Sequence, residues 1–217
     1  MTPNDWFRRT TWTDRDRHEF DVRLKRCRSP RKVAQYLRIQ ASHLAEAGQY
    51  GASAGLLDRL FVECPDKIQL AQAHAQKAAI LARLNDIDGA IQEYRAALQA
   101  EREFPNVHTN AWLDFGWFVV KHDLAEFYDE ALRTLGEFRD EAGLKFPATE
   151  FRYLAIQALI ADSRGEKDHA SGFARDALRE AARVHSGVSR HPDVGLVGSV
   201  PKTVKDRLQS LAGAVDG

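Results

Sequence analysis

Four successive stretches of this chain each read as two helices with a break between them, and a small residue falls at the same place in every one. The first is YLRIQASHLAEAGQYGASAGLLDRLFVECP, broken at Gly48, and the second is AHAQKAAILARLNDIDGAIQEYRAALQAEREFP, broken near Asn85-Asp86. AWLDFGWFVVKHDLAEFYDEALRTLGEF and YLAIQALIADSRGEKDHASGFARDALREAA follow. Their first helices align Ala41, Ala78, Gly116 and Ala158, and their second helices align Ser53, Ala90, Ala131 and Ala170. A small side chain at such a point lets the two helices of a hairpin approach closely. A hairpin cannot bury its apolar stripe alone, so each must stack on a neighbour.

Local signals agree with that reading. Apolar residues recur with helical spacing from residue 14 to about 185, and little alternates with period two. Thr13 with Asp16, and Ser29 with Pro30, are helix-start signals, repeated at Thr109 and at Thr149-Glu150. Stops fall at Gly48, near Asn85-Asp86, at Pro105, at Gly143 to Pro147 and at Gly165. Within TNAWLDFGWFVV, residues 109–120, Trp112, Phe115, Gly116 and Val119 share one helix face; Leu113, Trp117 and Val120 make a second. Only a narrow strip with Asp114 and Lys121 stays polar, so this helix belongs to an interior. A leading helix over 14–27 carries Phe20 and Leu24, with Trp6 and Phe7 before it. Near the other end HSGVSRHPDVGLVGSVP breaks the period, yet carries Val194, Leu196, Val197 and Val200, and KTVKDRLQSLAGA forms a last helix. This segment is expected to fold back over the open end of the stack; a tail that docks into another protein is the alternative.

The pattern resembles the tetratricopeptide repeat (TPR), whose period is about 34 residues. Units cover 34–67, 71–104, 109–144 and 151–184, with Trp112, Phe115 and Gly116 at the family's Trp, Leu and Gly positions. DEAL at 129–132 opens a partner helix and Pro65 closes a repeat. The third unit departs by about three extra residues around Ala125 to Tyr128, Pro105 lies late, and most units lack the family's aromatic residues. DWFR at 5–8 and HSGVSRHP at 185–192 resemble the ends of uncharacterised bacterial proteins with similar repeats. The resemblance implies an all-α right-handed superhelix, an α-solenoid of about four TPR-like hairpins. On this division 1–32 is a basic N-terminal cap, 33–185 the repeat domain, and 186–217 a C-terminal loop and helix on the repeat end.

Composition narrows the function classes. No apolar run approaches the roughly 18 residues that span a bilayer, and no continuous apolar segment of signal-peptide type opens the chain, so a cytoplasmic protein off the membrane is expected. Cys27 and Cys64 stand alone and read as reduced thiols. Equal numbers of Lys/Arg and Asp/Glu, 31 each, hide an asymmetry: residues 1–32 hold ten cations against five anions. GASAG, 51–55, matches G-x-S-x-G, but a helix end precedes it where the hydrolase elbow needs a strand, so Ser53 reads as a packing residue. His185 and His191, near Asp193, lack the spacing of a zinc site, and no glycine-rich phosphate loop occurs. No enzyme, cofactor or metal is expected.

The remaining candidate is a groove. In TPR-like stacks the first helix of each pair lines a concave surface that receives a peptide or another protein. Carried across, those positions are Gln35, Arg38 and Ser42 in the first unit and Gln72, Gln76 and Arg83 in the second. The third supplies Asn110, Asp114, Trp117 and Lys121, and the fourth Arg152. Arg38 and Arg83 are read as paired donors for a carboxylate, and Trp117 as an apolar anchor point. The expected function is non-catalytic: an adaptor, chaperone-like binder or regulatory subunit gripping a polypeptide. Self-association stays open. The alternative is a nucleic-acid-associated protein using the basic leading segment.

Overall fold

A computed structural model describes residues 5–139, 146–188 and 190–213, and each regular element among them is helical. The chain forms two compact units, residues 1–111 and 112–217.

In the first unit a 3-10 turn at Asp5–Phe7 leads to α1 (Asp14–Leu24), α2 (Pro30–Glu46), α3 (Tyr50–Glu63), α4 (Lys67–Arg83) and α5 (Ile87–Glu103). Thr13 and Asp16 close a capping box at the start of α1. Ser29 caps α2, with Pro30 as its first residue. α1 ends at Leu24, short of the expected Cys27, and Ser29, the residue before the proline, is extended with ψ 114°. α2 packs with α3 and α4 with α5, and α4 lies against both helices of the first pair. The small residues sit at the closest approach. Ala41, Ser53, Ala78 and Ala90 are buried, and the Ser53 hydroxyl donates to the Ala41 carbonyl at 2.6 Å. The leading segment covers this pair: Phe20 is fully buried, Trp6 lies 5.3 Å from it and 5.0 Å from Tyr36, and Phe7 is 4.6 Å from Tyr36. Gln40, also fully buried, accepts from the Arg9 backbone N–H and donates to its carbonyl.

The second unit contains most of α6 (Ala111–Lys121), a 3-10 turn at Ala125–Phe127, α7 (Tyr128–Arg139), α8 (Pro147–Ser163), α9 (Lys167–Ala181) and α10 (Lys202–Gly213). The extra residues of the third unit are the 3-10 turn itself. Trp112, Leu113, Phe115, Phe118 and Val119 are buried, Trp117 and Val120 half-buried, and Lys121 exposed. Gly116 is the contact point: a Cβ there would meet Ile156 of α8 at 3.1 Å and Leu135 of α7 at 3.7 Å. α8 starts at Pro147, two residues before the expected Thr149, because proline fits the first helical position and Phe146 is extended. Gly143 and Ala214, named above at a stop and in the last helix, lie outside the described residues. α9 packs on α8, and α10 on α9 and α8.

Each hairpin turns on a left-handed residue seven places after its small residue: Gly48 (φ 76°), Asn85 (60°), Asp123 (53°) and Gly165 (74°). The sequence marks three of these and not Asp123. Glycine enters this region without strain, and Asn and Asp are the side chains that tolerate it best. No described helix is long and apolar enough to cross a membrane.

Candidate functional site

On the exposed side of the first pairs, α2 and α4 run beside one another and leave a cleft of about 470 Å³. Ser42, Gln76 and Arg83, three of the groove residues read from the sequence, line it. Ala41, Ala45, Ala79 and Ile80 make its floor, and Glu46 and Tyr50 its rim beside Arg83. The sequence reading missed Glu46 and Tyr50, although Glu46 follows Ser42 by one helical turn and so shares its face. The Gln76 Oε1 is itself buried, without a hydrogen-bond partner.

The other groove positions of this unit do not join the cleft. Gln35 is exposed and Gln72 half-buried, neither lining it. Arg38 Nε donates to Gln69 Oε1 at 2.7 Å, and burial lowers the guanidinium pKa from its ordinary value. The paired carboxylate clamp of Arg38 and Arg83 is therefore not assembled. Arg38 is held opposite Gln69, and Arg83 lies fourteen residues farther along α4, roughly 20 Å at 1.5 Å per residue.

In the second unit three of the named residues converge. Arg152 Nη1 is 2.8 Å from Asp114 Oδ1, and its guanidinium stands 5.4 Å over the Trp117 ring. Trp117 also packs 6.4 Å from Phe151. Its remaining surface faces Val197, Val200, Pro201 and Val204, so this tryptophan lies against the chain's own C-terminal segment. Lys121 edges the same region, while Asn110 is exposed just before α6.

No family model matches the chain, and no curated protein matches it.

The remaining motifs resolve locally. GASAG lies inside α3, with Ser53 fully buried. His185 and His191 are exposed, and no group of three or more His, Cys, Asp or Glu among the described residues is arranged to hold a metal. An unforeseen cluster ties α3, α4 and α5: His74 Nδ1 is 2.6 Å from Glu93, and Lys77 bridges Glu93 (2.8 Å) and Asp58 (2.7 Å). Burial opposes the Glu93 charge, but His74 and Lys77 outweigh it and hold the carboxyl below its ordinary pKa. His74 stacks flat on Phe61 at 4.1 Å, which covers one face of the ring. Near the N-terminus Arg9 pairs with Asp16 and Glu19, Arg15 with Glu19, and Arg17 with Asp14. By contrast Arg23, Lys25, Arg26, Arg28, Arg31 and Lys32 are exposed, with no ion pair among the described residues.

Proposed function

We propose that this chain is a non-catalytic interaction module, a TPR-like α-solenoid whose first-helix faces bind a polypeptide. The α2/α4 cleft carries the reading. It brings together side chains from two hairpins that the repeat register assigns to one face, over an alanine floor. Its polar groups are of the kinds that hold an extended main chain: an amide, a hydroxyl, a carboxylate and a guanidinium. The volume suits a few residues of peptide. The test is selection of a displayed random peptide library on the protein and on Ser42→Trp, which fills the cleft. Peptides enriched on the wild type and at least tenfold weaker on Ser42→Trp support the reading. No enrichment, or equal binding to both, contradicts it.

A second reading, nucleic-acid association, is favoured by the six exposed cations between Arg23 and Lys32. Phosphate contacts release counterions, so DNA or RNA affinity carried by them falls steeply between two salt concentrations. A titration without that dependence removes this reading.

A further inference from the structure

The segment that follows α9 crosses the first-helix face of the second unit in a defined course. The Gly195 carbonyl accepts from the Ala148 N–H at 2.8 Å, in the first turn of α8. Val197 and Val200 then lie against Phe151 and Trp117, and Val204 against Trp117 and Leu159. Arg207 finally places Nε and Nη2 at 2.9 and 2.7 Å from Asp162 Oδ2, in the last turn of α8. The strap thus follows α8 from one end to the other.

Repeat register shows what it covers. The residues after the four aligned small positions are Ser42, Ala79, Trp117 and Leu159. Ser42, Ala45 and Ala79 line the open α2/α4 cleft, and their counterparts Trp117, Val120 and Leu159 line the strapped one. The same surface therefore occurs twice, once open and once under a polypeptide.

Ahead of Leu208 the strap is loosely seated, while the α10 helix itself packs on α9 and α8. Leu208 is fully buried, but Val194 is 48% exposed and Val197, Val200 and Val204 are only half-buried. Cavities of about 300 and 270 Å³ lie along it. The helices beneath are packed far more closely, with Phe115, Val119 and Ile156 at zero exposure. Half-buried side chains over voids forgo much of the contact that holds an element in place, so such a segment opens locally at low cost. The connection 182–185 that leads to it is exposed.

We propose that the α6/α8 face is a polypeptide-binding surface on which residues 195–208 act as a displaceable internal occupant. The partner it fits is a protein segment of the same chemistry: a short extended run with valine-like side chains, a proline opening a helix, and an arginine in that helix for Asp162. This rests on the reading of first-helix faces as polypeptide-binding, and adds which face is masked and what displaces the mask.

The test uses a fluorescein-labelled synthetic peptide of residues 194–213, titrated by anisotropy into the full chain and into two strap-released variants. Arg207→Glu removes the ion pair. Gly195→Val blocks the crossing, since φ is +71° and a Cβ would stand 2.4 Å from the Phe146 ring. The expected result is at least tenfold tighter binding to the released variants, lost when Trp117→Ala is added. Equal affinity for all forms, or binding to none, overturns the proposal. Binding that survives Trp117→Ala and is lost on Ser42→Trp puts the peptide in the α2/α4 cleft; the general reading then stands and this one falls. Dimers of the released variants in light scattering, with wild type monomeric, assign the face to a second copy and overturn the partner assignment. Hydrogen exchange on the wild type needs no variant: amides of 196–206 exchange well ahead of those in α8 and α9, and equal protection overturns the proposal.

Discussion

The Ser53 hydroxyl lies 2.6 Å from the Ala41 carbonyl, and a Cβ on Gly116 would stand 3.1 Å from Ile156. At both points the helices touch because almost nothing separates them. Ser53→Leu and Gly116→Leu should each destabilise the fold by about 1–3 kcal/mol through overpacking, read as a shift of the urea midpoint at unchanged slope. Asp16 offers a pH test. Hydrogen bonds from the Thr13 backbone and hydroxyl hold its carboxyl well below the ordinary carboxylate pKa. A depressed folded pKa stabilises in full above the unfolded value, near 4, and the contribution is lost as pH falls through the folded value. Acid unfolding of Asp16→Asn should accordingly be less steep below about pH 4 than that of the wild type. Identical acid limbs would mean that the capping box contributes nothing.

Among the elements, the hairpin turns show how much was legible and why the rest was not. Gly48, Asn85 and Gly165 announce their breaks by residue type, and the structure puts each in the left-handed region. Asp123 does the same in the third hairpin but hides in KHDLAEF, where neither glycine nor proline marks it; only the seven-residue offset from Gly116 would have found it. Asn85→Val should cost about 1–2 kcal/mol by forcing a β-branched residue into that region, while Asn85→Gly should be neutral or slightly stabilising. Thermal melts of the two variants check the order. The first-helix faces were legible in part. Of the positions carried over from the resemblance, Ser42, Gln76 and Arg83 line one cleft, and Asp114, Trp117 and Arg152 meet. Pairing along one sequence does not report which residues of two neighbouring helices stand opposite, so it does not reveal that Arg38 faces Gln69 and not Arg83. The course of residues 195–208 was equally hidden, because a glycine- and proline-broken segment has no period to read.

Taken as a whole molecule, the chain spreads 31 cations and 31 anions unevenly, with six exposed cations between Arg23 and Lys32. Near-zero net charge and a sequence pI of about 7.1 predict a solubility minimum near neutral pH, which polyethylene-glycol precipitation across pH will show. The central proposal is that the faces of the first helices, and not the outer sides of the second, are the binding surface. Chemical-shift perturbation by a peptide selected on the wild type tests it most directly. The account predicts shifts concentrated at residues 42–50 and 76–83 of the α2/α4 cleft, with α3 and α5 unmoved on their outer sides. Shifts centred on the outer sides of α3 and α5, with the cleft silent, would contradict it.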